Sequence, residues 1–211
     1  MANDSAAPPD QQKEAAAKFL DSDFNQCFQQ MRYYDGQIID ICKFAFTGYA
    51  AIVGAALTLY KYGADKGADF RAPAVSLLAI GLLLGLCLLA LMARNRVYFV
   101  VVTRYVNEHR QHFLTQKPLG FENKSRIYMD PTEPPFFNWR SSQALLLYIL
   151  ALMNSGLLAM ALYLLCSSVP CRWTILISAG LLFLVAELVS TIAYLISREG
   201  KSAGRAVFGR D

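Results

Sequence analysis

Four long apolar blocks decide what this chain can become. The first runs from Phe44 to Tyr60, FAFTGYAAIVGAALTLY, without a charge. With Ile38, Ile39 and Ile41 ahead of it, it reaches spanning length despite Asp40 and Lys43. The second runs from about Ala72 to Ala93, the third from about Ala144 to Cys166, and the fourth from about Trp173 to Ile196. A helix crosses the ~30 Å hydrocarbon layer in about 20 residues. Blocks two and three do so uncharged, and block four does so with one charge, Glu187. Block one is the weakest span, and a short span is accommodated by tilt or local thinning. The competing reading is four buried helices of a soluble protein. A chain of 211 residues leaves too little sequence outside the blocks to cover them. The expected fold class is therefore all-α, a polytopic membrane protein with four transmembrane helices. The same apolar content excludes disorder, which needs low hydrophobicity.

The N-terminus is expected to be retained. The first block lies behind Asp4, Asp10, Glu14, Asp21 and Asp23, whereas a signal peptide opens with a short basic region. Lysine and arginine set the orientation. Sixteen of them fall before span one, between spans two and three, or after span four. Four fall on the other side: Lys61, Lys66, Arg71 and Arg172. Both termini are thus expected in the cytoplasm, with the protein in the cell inner or plasma membrane. Phe136, Phe137 and Trp139 precede span three as an expected interfacial anchor. Cys166 and Cys171 flank SSVP in a short external loop, a spacing that permits a disulfide-closed turn.

The first two helices are expected to continue beyond the bilayer. Leu20, Phe24, Cys27, Met31, Tyr34, Ile38 and Ile41 recur at steps of 4,3,4,3,4,3, and the stepping enters span one at Ala45, Gly48, Ile52, Ala55 and Leu59. This 3.5-residue seam has coiled-coil character and needs a partner helix. Leu91, Asn95, Tyr98, Val102, Tyr105, His109 and His112 step the same way beyond span two. VYFVVV is strand-like by β-branching, but continuity with the preceding helix favours helix. Gly36 weakens its helix by about 1 kcal/mol and is expected to mark a bend. The resulting organisation is a disordered tail over 1–12, helices one and two with cytoplasmic extensions over 13–118, a linker over 119–140, a helical hairpin over 141–198 and a basic tail over 199–211. Asp10 is a candidate helix cap. Gly81 and Gly85 form a small-xxx-small pair suited to close helix contact.

Glu187 is the most informative polar residue. It precedes Arg198 by eleven residues, which puts it roughly 16 Å deeper along a straight helix. Intramembrane acids face a protein interior, a cavity or a pathway. Ser190 and Thr191 share its face, and Asn154 lies at a similar depth in span three. The functional reading is an ion- or proton-sensitive site or a polar pore lining; the structural reading is a neutral glutamic acid hydrogen-bonded between helices. Arg94 and Arg96 mark the edge of span two as candidate contacts for anionic lipid headgroups. Phe24, Met31, Tyr98, Tyr105, His109 and His112 belong to the helical seam. The two histidines are three apart, not four as in HExxH, so no metal site is expected. GKS at Gly200–Ser202 lacks the upstream glycine of a phosphate loop, since Leu195 stands there. No cofactor is expected. Asp35 and Asp40 are poorly spaced for one helical face, and no GxSxG is present, so the chain does not read as an enzyme. A net charge of +4 is too mild to suggest nucleic acid.

Two functions remain. One is a small oligomeric channel, a gated membrane-permeabilising effector engaged in ion transport, lined by Glu187, Asn154, Ser190 and Thr191. The other is a non-enzymatic scaffold or accessory subunit whose long hairpin recruits a cytoplasmic protein. The expected partners are membrane lipids, further copies of the chain, and such a protein.

Overall fold

A computed structural model of the chain describes residues 9–117, 120–126, 128–166 and 169–199. Four helices account for most of it: α1 (Pro9–Lys66), α2 (Arg71–Thr115), α3 (Ser142–Leu165) and α4 (Arg172–Glu199). All four are long and apolar enough to cross a membrane, and no strand occurs among the described residues. The strand-like VYFVVV is helical. α1 has 58 residues and α2 has 45, giving lengths of about 87 Å and about 68 Å at 1.5 Å per residue. α1 begins at Pro9, a few residues before the expected start, so Asp10 lies in its first turn instead of capping it. An acid there complements the helix dipole. α1 runs through Gly36 without interruption. Residues 1–8 of the expected 1–12 tail, and Gly200–Asp211 with its GKS, lie outside the described residues.

The helices alternate in direction. Asp23 of α1 meets Tyr105 of α2, Asp35 of α1 meets Gln143 of α3, and Arg104 of α2 meets Glu199 of α4. These contacts gather the first half of α1, the second half of α2, the start of α3 and the end of α4 at one end of the molecule. α1 and α2 share the most extensive interface, and α3 packs on α2 and α4. α4 rests mainly on α3 and touches α2 narrowly. Ile38, Tyr49, Ala56, Leu78, Met92, Leu150 and Leu195 form the core between them.

The α1 seam holds in part. Leu20, Phe24, Cys27, Met31 and Tyr34 are half-buried, and Ile38, Ile41 and Ala45 are buried. Beyond Ala45 the buried face moves to Tyr49, Ile52 and Ala56, while Ala55 is exposed. The step Ile41, Ala45, Tyr49 is 4,4, an inserted four-residue step in the heptad pattern. An undistorted helix has 3.6 residues per turn, so a strict 3.5 repeat drifts around it by about 20° per heptad, and such a step restores the register. On α2, Asn95 and His109 are buried, whereas Leu91 is exposed.

The linker between α2 and α3 packs against α2. Arg96 donates to the carbonyls of Phe136 at 3.0 Å and Pro135 at 2.7 Å. Arg104 Nε donates to Pro134 O at 3.1 Å, and Asn107 Nδ2 donates to Asp130 O and Glu133 O at 3.1 and 2.9 Å. Phe136, expected at the lipid interface, is buried beneath the Arg104 guanidinium, 4.8 Å from its ring. Trp139 remains exposed. Ser141 caps α3 by accepting from Ala144 N at 3.1 Å.

Candidate functional site

Three polar side chains meet halfway along the apolar part of the bundle. The Tyr49 hydroxyl donates to Asn154 Oδ1, and Asn154 Nδ2 donates to Glu187 Oε1 at 2.6 Å. The chain joins α1, α3 and α4. Asn154 is fully buried and Glu187 is 5% exposed. Because Asn154 both accepts and donates, its amide orientation is fixed by its neighbours. Groups at this depth must find partners inside the protein if no water reaches them.

α2 contributes the space. A Cβ at Gly85 would overlap both Asn154 Oδ1 and the Tyr49 hydroxyl. A Cβ at Gly81 would come within 2.9 Å of Ile52 Cγ2. The small-xxx-small pair thus admits α1 at one glycine and the polar chain at the other. Glu187 Oε2 and the buried Ser155 Oγ make no hydrogen bond of ordinary geometry among the described residues. A carboxyl group in an apolar surround is costly to bury.

Glu187 also borders a cleft of about 380 Å³ between α2 and α4. Leu86, Leu89 and Ala90 form its apolar wall, and Ser190, Thr191 and Tyr194 continue it from Glu187 to Arg94. Of the four residues expected to act together, Asn154 and Glu187 are bonded. Ser190 and Thr191 share the cleft, but Ser190 Oγ donates to the Glu187 backbone carbonyl at 3.0 Å, not to the carboxyl group.

The two arginines expected at the lipid edge part company. Arg94 is exposed and donates to the Tyr98 hydroxyl at 3.0 and 3.1 Å. Arg96 is 5% exposed, and its donors go to the linker and to Gln143 Oε1 at 2.8 Å. Five donors in a planar fork suit it to bracing several carbonyls at once. Its burial takes it away from the surface position that a headgroup contact requires.

The seam residues find one another across α1 and α2. Tyr34 stacks on Tyr98 at 5.5 Å, and Phe24 lies 6.2 Å from His109. The Tyr105 hydroxyl donates to Asp23 Oδ2 at 2.7 Å, with His109 Nε2 3.5 Å from the same oxygen. Met31 lies against a cavity beside the linker. His112 meets Phe113 edge-on at 5.3 Å and lies 3.3 Å from Gln116 Nε2. Among the described residues no group of three His, Cys, Asp or Glu side chains stands ready for a metal ion. Cys166 and Cys171 carry free thiols, so the loop disulfide is not formed in this structure.

Sequence reasoning missed Tyr49, Asp23 and Glu199. Tyr49 was legible as the phenol nearest the middle of span one, but the uniform heptad count selected Gly48. Asp23 and Glu199 carried no local signal, because their partners lie 82 and 95 residues away. No known protein family, curated protein or solved structure matches this chain, and the site is therefore read from its own geometry.

Proposed function

We propose that this chain is an oligomeric, gated membrane channel or membrane-permeabilising effector, held in a closed state by the Tyr49–Asn154–Glu187 chain. The observation that carries this reading is the position of Glu187, which closes the buried polar chain and borders the cleft leading past Ser190 and Thr191 to Arg94. α4 is the element free to move, since its contact with α2 is narrow. Its outer face presents Leu181, Leu182, Val185, Val189 and Ile196, all exposed in one copy. In the membrane that face meets lipid or a neighbouring subunit. Displacing α4 from α2 would wet the cleft and line it with Glu187, Ser190 and Thr191.

Both termini and the extended α1–α2 end lie in the cytoplasm in this reading, because that end gathers most of the lysines and arginines. Arg94 is then at headgroup depth, positioned for anionic lipid. No catalytic step and no nucleic acid are required. The test is ion flux from liposomes containing the purified full-length protein. Flux that changes in rate or cation preference on Glu187→Gln supports the channel. A monomeric protein that conducts nothing in either form overturns it.

A second reading has its own support. Exposed Phe19, Tyr33, Phe113 and Phe121 stud the extended end of the molecule, as they would on a scaffold that recruits a cytoplasmic protein. Its signature is a stable complex without conductance.

A further inference from the structure

A second cavity lies away from the intramembrane chain. It has a volume of about 700 Å³ and sits between the first half of α1, the second half of α2 and the linker. That size suits a small organic ligand, for which pockets run roughly 300–1,000 Å³.

Its lining combines positive charge with an apolar body. Arg96, Arg110 and Arg126 are cationic, against the acids Asp130 and Glu133. No carboxylate among the described residues lies within salt-bridge distance of any of the three arginines. Asp130 Oδ1 is occupied by its own turn, accepting from Thr132 N at 2.8 Å and Thr132 Oγ1 at 2.7 Å. Arg110 is held among aromatic rings, 5.8 Å from Phe24 and Phe28 and 5.4 Å from Tyr128. Cation–π contacts position a guanidinium without neutralising it. Phe28, Met31 and Phe99 supply the apolar wall.

Two further features belong to the same cavity. Asn107 lines it, 2% exposed, and its Oδ1 has no hydrogen-bond partner among the described residues. Its Nδ2 is committed to two carbonyls, so flipping the amide would not remove the orphan acceptor. Most buried polar atoms are paired, and an exception calls for a missing partner; an amide oxygen calls for a donor, so this atom addresses an N–H or O–H on the body of a ligand and not its phosphate. Arg126 and Tyr128, on the linker side, have φ of 52° and 58°. Non-glycine residues in the left-handed region cost energy and collect at ligand-holding loops.

We propose that this cavity binds a phosphate-bearing molecule with an apolar or aromatic body. The phosphate is assigned to the end formed by Arg110 and Arg126, and the body to the space toward Met31 and Phe99. Guanidinium groups match phosphate oxygens in bidentate geometry. The same chemistry is offered by a soluble phosphate ester and by a phospholipid headgroup. Arg96 lies fourteen residues from Arg110 along α2, about 21 Å at 1.5 Å per residue. One phosphate therefore does not bridge them, and a phosphate from either source is assigned to the Arg110–Arg126 end. The proposal does not depend on the channel reading, because its measurement is binding.

The test uses the full-length protein in nanodiscs, read by native mass spectrometry and thermal unfolding. In the soluble arm, discs of phosphatidylcholine receive adenosine monophosphate or, as control, adenosine. In the lipid arm, the discs also contain phosphatidylglycerol. The expected result is one phosphate-bearing probe bound per chain in at least one arm. For the soluble probe the preference over adenosine should be tenfold or more. Arg126→Asn removes the charge while keeping a residue that tolerates positive φ, and should weaken that binding at least tenfold. Lys124→Ala, outside the cavity, should not. A soluble source is identified by adenosine monophosphate binding that Arg126→Asn weakens, and a lipid source by phosphatidylglycerol retention that the same variant weakens. Arg110→Gln serves as the second variant at the phosphate end. Failure of both arms to prefer the phosphate, or binding unchanged in both Arg126→Asn and Arg110→Gln, overturns the proposal.

Discussion

Asn154 on α3 donates to Glu187 on α4 at 2.6 Å, and the same asparagine accepts from Tyr49 on α1. One side chain thus ties three helices at a depth where water is excluded if the apolar segments sit in lipid. Asn154→Leu would strip both contacts and leave the phenol and the acid unpaired. An orphaned buried group costs about 1–3 kcal/mol, so a loss in that range per group is expected. Tyr49→Phe removes one hydrogen bond and orphans only an acceptor, so it should cost less. Reversible unfolding in mixed micelles measures both. Equal losses would mean that the chain does not act through Asn154.

Gly85 and Gly36 are both helical, yet they should respond oppositely to alanine. A Cβ at Gly85 collides with Asn154 and Tyr49, whereas nothing lies within 4 Å of a Cβ at Gly36. Gly36→Ala should therefore be neutral or stabilising by up to about 1 kcal/mol. Gly85→Ala should destabilise by about 1–3 kcal/mol, as overpacking does. The comparison controls for helix propensity, since that term favours alanine at both sites. Thermal unfolding in detergent gives the two signs directly, and a stabilising Gly85→Ala would contradict the packing described.

These residues also mark where the sequence was readable. Four apolar blocks disclosed four helices, and the steps from Phe24 to Ile41 disclosed which face of α1 seeks α2. Glu187 and Asn154 stood out because each is polar within an apolar run. The chain's third member did not, because tyrosine is ordinary in such a span and its role depends on a register shift after Ala45. Arg96 and Phe136 were misplaced for a related reason. Both sit where a membrane edge is expected, and only the fold of the linker turns them inward together.

The Asp23–Tyr105 contact predicts a response at alkaline pH. The hydrogen bond to Asp23 is the main reason the Tyr105 phenol is pushed up to about 12 from an ordinary value of 10, with burial adding to it. The folded-state value is the higher one, so this contribution to stability is complete below pH 10. It is lost as the pH rises from 10 toward about 12, where the unfolded chain ionises first. The wild type should therefore lose more stability across that window than Tyr105→Phe. Circular dichroism melts at pH 8, 10 and 11.5 provide the measurement, and parallel losses in the two proteins would sink the assignment.

Arg96 should govern whether the linker stays docked. Burial pushes its guanidinium down to about 10, which still leaves it charged at neutral pH. It is held by Phe136 O, Pro135 O and Gln143 Oε1, and Gln143 Nε2 in turn donates to Asp35 Oδ1 at 2.6 Å. One side chain therefore couples the linker to α3 and, through Gln143, to α1. Arg96→Lys keeps the charge but cannot reproduce three bonds from a planar fork. Both Arg96→Lys and Arg96→Gln should accelerate hydrogen exchange across residues 129–141, because undocking frees those amides together. A rise of about tenfold corresponds to ~1.4 kcal/mol, within reach of losing one or two charge-assisted hydrogen bonds. Exchange within the middle of α3 should be unchanged, since Asn154 and its neighbours are held separately. Acceleration of both regions alike would show general loosening of the bundle, and unchanged exchange at 129–141 would show that Phe136, buried in its own right, holds the linker without the arginine.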